Sequence, residues 1–303
     1  MWKESFRIGI NSIDKQHKEL FDKTGELLKK VNSGVDKLCD QCVSAILYLK
    51  DYAVKHFADE EAYQKSIRYS AFDEHKKQHE KFIQTVLDHE KKMVESEFDA
   101  KSVKEFTGML VTWLIYHVAD SDQKIGKFKS GEAVVCNLPE TAEDHSEIVC
   151  TCMTDTLNMM AGLDERNIKL VQSCSESFKN AVVVELDLVG DISGYITYVY
   201  PVHFIKNFVN AVMNYMPEKI GDLEISALYE LSNIVSDNIC KAIYKTEGLF
   251  CETTPPSLSN FFEYHHDERI YIETELGVVE ADIVVEYMSD YQKGGKQRAL
   301  SVR

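Results

Sequence analysis

The sequence predicts two domains of different fold class, an all-α up-down four-helix bundle followed by a layered α/β (α+β) domain. Residues 11–129 contain no proline and few glycines, and their apolar residues recur with the spacing of an α-helix. Residues 131–146 bring a proline, small residues and acidic residues, which is typical of a linker. Beyond them, β-branched and aromatic runs alternate with helical segments. We therefore expect a bundle over residues 1–130, a second domain over 147–290 and a flexible tail over 291–303.

Four helices are expected in the first domain. Apolar side chains fall three and four residues apart, as at Leu20, Leu27 and Leu28 in the first segment and at Phe106 and Leu110 in the last. Because the connections between the segments are short, neighbouring helices should run antiparallel and form an up-down bundle. The predicted helices are Ser12–Val31, Leu38–Gln64, Ala71–Glu95 and Ser102–Phe128.

The spacing changes in the second domain, where short β-rich runs are separated by turn residues such as the GDISG segment. Helical spacing alternates there with clustered strands, and this mixture favours a layered architecture. The predicted helices are Ile148–Leu163, Pro201–Tyr215 and Asp222–Glu247, and the predicted strands are Asn167–Cys174, Ala181–Val189, Gly194–Tyr200, Arg269–Glu275 and Val278–Tyr287.

Composition narrows the classes of function. Of the 34 basic and 50 acidic side chains, residues 1–130 hold 22 of each, so the whole net charge of −16 lies in residues 131–303. A charge of this sign argues against nucleic acid and anionic membrane as partners. No segment approaches the roughly 20 apolar residues of a membrane span, and the N-terminus has no apolar signal segment. Eight cysteines without a secretory signal are typical of reduced thiols, so we expect a cytoplasmic protein.

Histidines and carboxylates recur on all four predicted bundle helices. Side chains four residues apart share one face of a helix, and facing helices of a bundle can direct such side chains to one central site. Five imidazoles with carboxylates suit a pair of iron ions, because imidazole binds iron well and a carboxylate can bridge two cations. A single histidine would be more typical of a satisfied core or surface residue, whereas five at aligned depths indicate a metal site. The set comprises His17 on the first helix, His56 and Glu60 on the second, His75 and His79 on the third, and His117 with Asp120 or Asp122 on the fourth.

Spacing alone does not decide which carboxylate of the fourth helix is a metal ligand. Asp120 follows His117 by three residues and shares its face, whereas Asp122 follows by five and would lie roughly 140° around an ideal helix. His89 is excluded from the site, because it lies ten residues after His79, about 15 Å further along the helix.

Four short motifs, DKQHKEL, HFADE, HKKQH and HVADSD, give the first domain a family resemblance. Residues 1–130 resemble a bacterial hemerythrin, whose pattern of His, His-x3-Glu, His-x3-His and His-x4-Asp is matched at all seven positions. The resemblance implies that Asp122, rather than Asp120, is the seventh ligand.

The same resemblance implies how the ligands divide between two irons. One iron would have six ligands and the other five, which leaves an open position where dioxygen could bind. No acid or base for the turnover of a substrate is evident in this half, so we expect oxygen binding or sensing rather than catalysis. The implied division is His75, His79 and His117 on one iron, His17 and His56 on the other, and Glu60 and Asp122 as bridges together with an oxo or hydroxo group.

A second motif lies in the predicted helix Asp222–Glu247. Within ALYELSNIVSDN, Glu230 and Asn233 are three residues apart and share one helical face. A carboxylate and an amide one turn apart are common on solvated helix faces, and spacing alone favours that interpretation. Pro256, within CETTPPSL, follows Asn233 after 22 residues.

With this order of elements, residues 147–290 resemble the CheC/CheX family of chemotaxis phosphatases. The resemblance implies that the substrate is the phosphorylated aspartate of a CheY-like receiver domain, which itself holds Mg²⁺. Glu230 and Asn233 would be the catalytic residues: the Asn233 amide would orient the attacking water, and the Glu230 carboxylate would pair with a receiver lysine. Tyr229 stands where the family usually has an acid or serine, and Asp237 stands where a small residue is usual.

Other patterns carry less information. Asp155 and Asn158 repeat the Glu-x2-Asn motif only weakly, since the acid is shorter and no proline follows at the right distance. Neither of the two cysteine pairs has a second pair with which to form a zinc site, and ordinary buried or surface thiols are expected. These pairs are Cys39 with Cys42 and Cys150 with Cys152.

The sequence thus predicts an oxygen- or redox-sensing non-haem diiron protein whose second domain dephosphorylates a CheY-like response regulator under control of the diiron site. One alternative is a non-enzymatic oxygen carrier whose second domain only docks a receiver. A diiron oxidase or peroxidase is a further class, and the histidine-rich ligand set argues against it. The CheC/CheX resemblance also allows a homodimer.

Overall fold

The computed structural model describes residues 1–33, 40–132, 144–163, 168–171, 178, 180–259 and 269–287. Most of the predicted linker and the whole predicted tail lie outside these residues, and the domain boundaries stay predictions. The chain forms two compact units. One comprises the described residues of 1–136, 157–162 and 205–230, and the other comprises those of 137–156, 163–204 and 231–303.

Helices account for nearly all of the described chain up to residue 130. They are α1 (Asn11–Asn32), α2 (Asp40–Ser66), α3 (Phe72–Glu95) and α4 (Ala100–Tyr116), and a π-helical turn (His117–Ser121) joins α4 to α5 (Asp122–Ser130). Helix α1 packs against α2, α2 against α3 and α3 against α4, and α4 also packs against α1. This closed set of contacts is that of a four-helix bundle, so the predicted all-α architecture is confirmed.

The amphipathic sequence of the helices explains the bundle core. In α1, Phe21 and Leu27 are at most 1% exposed, while charged residues occupy the outer face. The side chain of Asp99 caps α4 by accepting a hydrogen bond of 2.7 Å from the Ser102 amide. At the other end of the bundle, Gly131 ends α5 with a φ of +76°, a conformation that glycine adopts without strain.

In the second half of the chain, the described residues form a seven-stranded sheet and three helices. The strands are β1 (Lys169–Val171), β2 (Val182–Gly190), β3 (Ile192–Tyr200), β4 (Cys251–Thr253), β5 (Ser257–Leu258), β6 (Ile270–Thr274) and β7 (Gly277–Tyr287), and the helices are α6 (His145–Ala161), α7 (Val202–Met213) and α8 (Asp222–Glu247). The strand order is β1-β6-β7-β3-β2-β4, and β5 also pairs with β2. Every pairing among the described strands is antiparallel, so the predicted layered α+β architecture is confirmed.

Two tyrosines fix α8 against the sheet. Tyr198 and Tyr200 of β3 are fully buried, and their hydroxyl groups form hydrogen bonds with Ser236 (2.9 Å) and Ser232 (3.0 Å) of α8. A buried hydroxyl group without a partner would cost about 1–3 kcal/mol. The two pairs therefore fix the rotation of α8 about its own axis.

Two short strands, β4 and β5, differ from the prediction, and a third, β1, is described only in part. Within the described residues β1 is confined to Lys169–Val171, and residues 172–174 of the predicted strand lie outside them. Strands β4 and β5 have no counterpart among the predicted strands, because two or three residues are too few to show an alternation of polar and apolar side chains. No helix within the described ranges combines the length and the apolar character needed to cross a membrane.

Strands β3 and β7 approach each other closely at Gly194, which has no side chain. Its φ is +143°, and a Cβ atom at this position would overlap the carbonyl oxygen of Val284. We expect Gly194→Ala to lower the free energy of unfolding by about 2–4 kcal/mol, because it adds an overlap to a strained backbone. Gly248→Ala is the control: its φ is +74°, but no atom lies within 4 Å of the added carbon, so we expect a loss of only about 1 kcal/mol. Urea unfolding followed by circular dichroism measures both, and equal losses would contradict the argument.

Candidate metal centre

All seven predicted ligand side chains lie together in the interior of the bundle. Each is at most 3% exposed to solvent. Within the described residues, they form two overlapping groups in which the donor atoms lie within 4.8 Å of one another. Glu60, His75, His79 and His117 form the first group, and His17, His56, Glu60 and Asp122 form the second.

The carboxylate of Glu60 faces both histidine groups. Its Oε1 atom lies 2.7 Å from Nε2 of His75 and 3.7 Å from Nε2 of His79. Its Oε2 atom lies 3.5 Å from Nε2 of His56 and 3.8 Å from Nε2 of His17. One oxygen atom therefore serves each group, which is the geometry of a carboxylate that bridges two cations.

Asp122 divides its oxygen atoms in the same way. Oδ1 lies 3.1 Å from Nε2 of His117 and 3.4 Å from Nε2 of His75. Oδ2 lies 3.1 Å from Nε2 of His17. The two carboxylates thus stand side by side between a group of three imidazoles and a group of two.

Asp122 reaches this position because the helix widens after His117. The amide of Asp122 donates a hydrogen bond to the carbonyl oxygen of His117, five residues earlier, as in a π-helix. The extra residue in the turn returns Asp122 to the face of His117. Asp120, which ideal helical spacing favours, instead accepts a hydrogen bond of 2.6 Å from Lys124. The geometry therefore favours Asp122 over Asp120 as a ligand.

Polar partners hold the outward Nδ1 atoms of two histidines. Nδ1 of His56 lies 3.1 Å from Oε1 of Gln16, whose amide nitrogen donates to Asp59 at 2.7 Å. Nδ1 of His79 lies 3.1 Å from Oε1 of Glu61. An oxygen atom at Nδ1 keeps the proton there and leaves the Nε2 lone pair for a metal. Neither Gln16 nor Glu61 is predicted as a partner from the sequence, where the only signal is that each directly precedes or follows a predicted ligand.

Aromatic rings cover the side of the site that holds three histidines. Phe57 stacks on His79 with ring centroids 3.9 Å apart, and Trp113 stacks on His117 at 4.3 Å. Phe82 stacks in turn on Trp113 at 3.7 Å. A cavity of about 240 Å³, lined mostly by apolar side chains of α2, α3 and α4, extends to Phe57. These rings keep water away from the imidazoles.

Burial and charge prepare the side chains for a cation. Burial lowers the pKa of His56 to about 4 and that of His79 to about 2, so both imidazoles are neutral at pH 7. Burial opposes ionisation of Glu60 and Asp122, but contacts with the surrounding histidines bring the pKa of both carboxyl groups below its ordinary value. Neutral imidazoles and ionised carboxylates are the forms that bind metal.

The donor set fits a pair of metal ions. Bonds of about 2.1 Å at right angles, as in octahedral sites, place neighbouring donor atoms about 3 Å apart. The inward nitrogen–oxygen distances here range from 2.7 to 3.8 Å. Both oxygen atoms of Asp122, Oε2 of Glu60 and Nε2 of His17 and His75 are buried close to one another, but within the described residues none of them forms a hydrogen bond of ordinary geometry. Buried polar atoms without partners are costly, and a bound cation satisfies them.

Comparison with known proteins agrees with this chemistry. Residues 8–128 match the hemerythrin HHE cation binding domain. A bacteriohemerythrin from Clostridium acetobutylicum is 37% identical over 127 residues, which cover 41% of this chain and 96% of that protein. The chain belongs to the hemerythrin family. Hemerythrin subunit 1 of Golfingia vulgaris is 33% identical over 124 residues, which cover 41% of this chain and 88% of that protein. Membership of the hemerythrin family implies an iron cofactor, and the resemblance of the first domain is confirmed.

Solved structures similar to this chain include proteins whose names include CheX or a CheC-like superfamily. Chemotaxis protein CheX from Vibrio vulnificus is 14% identical, with 48% of this chain and 97% of that chain covered and a TM-score of 0.41. A CheX–CheY–BeF₃–Mg complex from Borrelia burgdorferi is 18% identical, with 48% and 99% covered and a TM-score of 0.40. A CheC-like superfamily protein from Shewanella is 16% identical, with 48% and 99% covered and a TM-score of 0.40.

The second predicted motif, Glu230 with Asn233, lies on α8 and shares no residue with the metal ligands. Glu230, Asn233 and Asp237 are half-buried and share one face of this helix. Pro256 lies between β4 and β5. The other residues singled out in the sequence lie outside the group of seven metal ligands. Asp155 and Asn158 are half-buried on α6, Tyr229 is half-buried on α8, and Cys39 lies outside the described residues. The ring centroids of His89 and Phe106 are 6.0 Å apart.

We expect the purified protein to contain about two irons per chain, because seven protein ligands exceed the six positions of one octahedral ion. His117→Ala and Asp122→Ala should each lose most of the iron. His89→Ala and Asp120→Ala are the matched controls and should keep it. Elemental analysis by mass spectrometry measures the loading. About one zinc and no iron in the wild type, or equal losses in the two pairs of variants, would contradict the assignment.

Proposed function

We propose that this protein is an oxygen- or redox-sensing diiron protein whose C-terminal half dephosphorylates a CheY-like response regulator. The observation that carries the metal part is the division of the two buried carboxylates, Glu60 and Asp122, between the histidine groups. The phosphatase part rests on the pair of Glu230 and Asn233 on the half-buried face of α8.

Two irons account for all of the ligands. If Glu60 and Asp122 are both shared, the ion held by three histidines has five protein ligands and the ion held by two has four. The group of two histidines, His17 and His56, would therefore leave more room for an added ligand than the group of three. A bound pair of irons would supply the electrons needed for reversible binding of dioxygen. The chain itself orients the imidazoles through Gln16 and Glu61 and keeps both carboxylates ionised.

The surroundings of the site favour a small apolar ligand. Phe57 and Trp113 stack on the imidazoles of His79 and His117, and the cavity that extends to Phe57 is lined mostly by apolar side chains. Dioxygen loses little on transfer into such surroundings, whereas an anion loses its hydration. We infer that the bundle selects dioxygen in this way.

The pair on α8 suits hydrolysis of an aspartyl phosphate. This substrate is already activated, and the receiver supplies Mg²⁺, so the phosphatase mainly has to place a water in line with the leaving oxygen. The Asn233 amide both donates and accepts hydrogen bonds and can orient a water without acting as a strong base. The Glu230 carboxylate, one turn earlier, can pair with a lysine of the receiver and fix its register.

The orientation of α8 supports this role. Ser232 and Ser236 bond to the tyrosines of β3, so this side of α8 faces the sheet. Glu230 and Asn233 lie on another side of the same helix and are half-buried. The acidic composition of residues 131–303, which carry the whole net charge of −16, favours a partner that presents basic residues.

A contact between α4 and the first turn of α8 supports control by the metal site. Both segments belong to the same compact unit. A Cβ atom at Gly108 of α4 would overlap the carbonyl oxygen of Leu223 and lie 3.0 Å from Cβ of Ser226. The hydroxyl group of Ser226 donates a hydrogen bond of 2.5 Å to the carbonyl oxygen of Glu105. The two backbones therefore touch directly.

This contact connects the two proposed sites through continuous helices. His117 follows Gly108 by nine residues and begins the π-helical turn that continues α4, and Asn233 follows Ser226 by seven residues along α8. A shift of His117 along its helix would be passed to α8 through this contact, because Gly108 has no side chain that separates the two backbones. A coupling free energy of about 1–3 kcal/mol is typical of such linkage and corresponds to roughly 5- to 150-fold.

We expect Asn233→Ala to slow dephosphorylation of a receiver by about 10²-fold or more, because a reactant water loses its positioning, while receiver binding stays largely intact. Asn210→Ala, an exposed asparagine on α7, is the matched control and should leave the rate unchanged. Loss of phosphate from a phosphorylated receiver measures the rate. Wild-type activity in Asn233→Ala would contradict the catalytic assignment, and binding without hydrolysis by both proteins would favour a docking module.

We expect the state of the iron site to change the rate of dephosphorylation. The test compares the diferrous protein without oxygen and the same protein after exposure to oxygen, with the absorption spectrum recorded to verify the change. His117→Ala should remove the difference between the two conditions. Gly108→Ala, which forces α4 and α8 apart, should reduce it while keeping the iron. Equal rates in the two conditions, despite a changed spectrum, would contradict control by the metal site.

A further inference from the structure

The cavity between α2, α3 and α4 is separate from the place where a ligand would join the metal. None of the seven predicted metal ligands is among the described residues that line it. Phe57 lines the cavity and also stacks on His79 with ring centroids 3.9 Å apart, so the Phe57 ring stands between this imidazole and the cavity. His79 belongs to the group of three histidines, whereas the group of two leaves more room for an added ligand. A molecule in the cavity would therefore not touch the metal.

The inner wall of the cavity consists of core side chains from three helices. Six buried apolar side chains line it, and each is at most 7% exposed. The volume between them is about 240 Å³, whereas the interiors of proteins are normally packed with few voids larger than a water molecule. The fold therefore keeps open a space that close packing would fill. The six are Leu49 and Phe57 of α2, Phe82 and Val86 of α3, and Phe106 and Leu110 of α4.

The cavity opens to solvent between α2 and α3. Val54 and Leu87 line it and are 48% and 45% exposed. Lys50 also lines it, and its ammonium group donates a hydrogen bond of 2.7 Å to the carboxylate of Glu90. Asp51 adds a negative charge to the lining. Because the positive charge of Lys50 is already paired, the opening offers no free cation to an anionic ligand.

Size and lining together define the class of ligand. A buried water needs two to four polar partners, which an apolar wall does not offer, and an apolar cavity of about 150 Å³ is large enough to hold benzene. The volume here is larger and fits one aromatic ring with a short alkyl group. An anion of the same size would lose its hydration without gaining a partner.

We propose that this cavity is a second ligand site of the bundle, which binds a neutral apolar molecule of the size of one alkylated aromatic ring. The apolar molecule gains by leaving water, and the six side chains of the inner wall gain contacts that the empty space denies them. The site uses no metal ligand and no residue of the Glu230–Asn233 motif, so the proposal does not depend on oxygen sensing or on phosphatase activity.

The first test is a calorimetric titration of the full, iron-loaded chain with toluene. The expected result is saturable binding of one toluene per chain. Benzoate has a ring of the same size but a negative charge, and it should bind at least about tenfold more weakly because its carboxylate must lose water. Absence of toluene binding up to its solubility limit, or equal affinities for toluene and benzoate, would overturn the proposal.

A matched pair of variants locates the bound toluene. Ala53 lines the cavity, and Ala53→Phe should weaken toluene binding by about tenfold or more because the added ring takes up the space. Ala58→Phe is the control: Ala58 lies on the same helix but is exposed and does not line the cavity, so the affinity should stay that of the wild type. Equal affinities in the two variants would place the bound toluene elsewhere and overturn the proposal.

A crystal of the wild-type chain under xenon pressure locates the site without any variant. Xenon is apolar and scatters X-rays strongly, and it enters apolar cavities of this kind. The expected result is a xenon peak among Phe57, Val86 and Leu110. Xenon peaks found only at other places in the chain would overturn the proposal even if Ala53→Phe fails to fold.

Discussion

The rest of the bundle depends on one requirement: the negative charges of two buried carboxylates must be compensated. Glu60 and Asp122 are fully buried and ionised, and an uncompensated charge in such surroundings costs several kcal/mol. Protonated imidazoles supply part of the compensation: burial would lower the pKa of His17, but Asp122 and Glu60 raise it to about 9. Bound metal cations would compensate both carboxylates at once and release such protons. The interior of this bundle is therefore suited to hold cations.

The helices satisfy that requirement by their register. A histidine and a carboxylate, or two histidines, one turn apart put both donor atoms at one depth, as His56 with Glu60 and His75 with His79 do. The fourth helix achieves this for Asp122 only through the π-helical turn, which costs regular hydrogen bonding in the middle of the bundle. Such irregular turns are frequent at functional sites because the site supplies the compensating interactions.

Sequence spacing predicts the four bundle helices and the face on which each histidine lies. It fails at Asp122, because an ideal helix turns that side chain away from His117, and only the family pattern selects it. Gln16 and Glu61 were missed because a neighbour in the sequence gives no sign of a contact at Nδ1. The contact of Gly108 with α8 could not be predicted, because a single glycine in a helix does not indicate which segment packs against it.

The most direct test of the account is a crystal structure with anomalous diffraction recorded at the iron absorption edge. The account predicts two anomalous peaks per chain, roughly 3.5–4 Å apart as in other two-metal sites. Both peaks should contact Glu60 and Asp122, one beside His75, His79 and His117 and the other beside His17 and His56. A single peak, or peaks that share neither carboxylate, would contradict it.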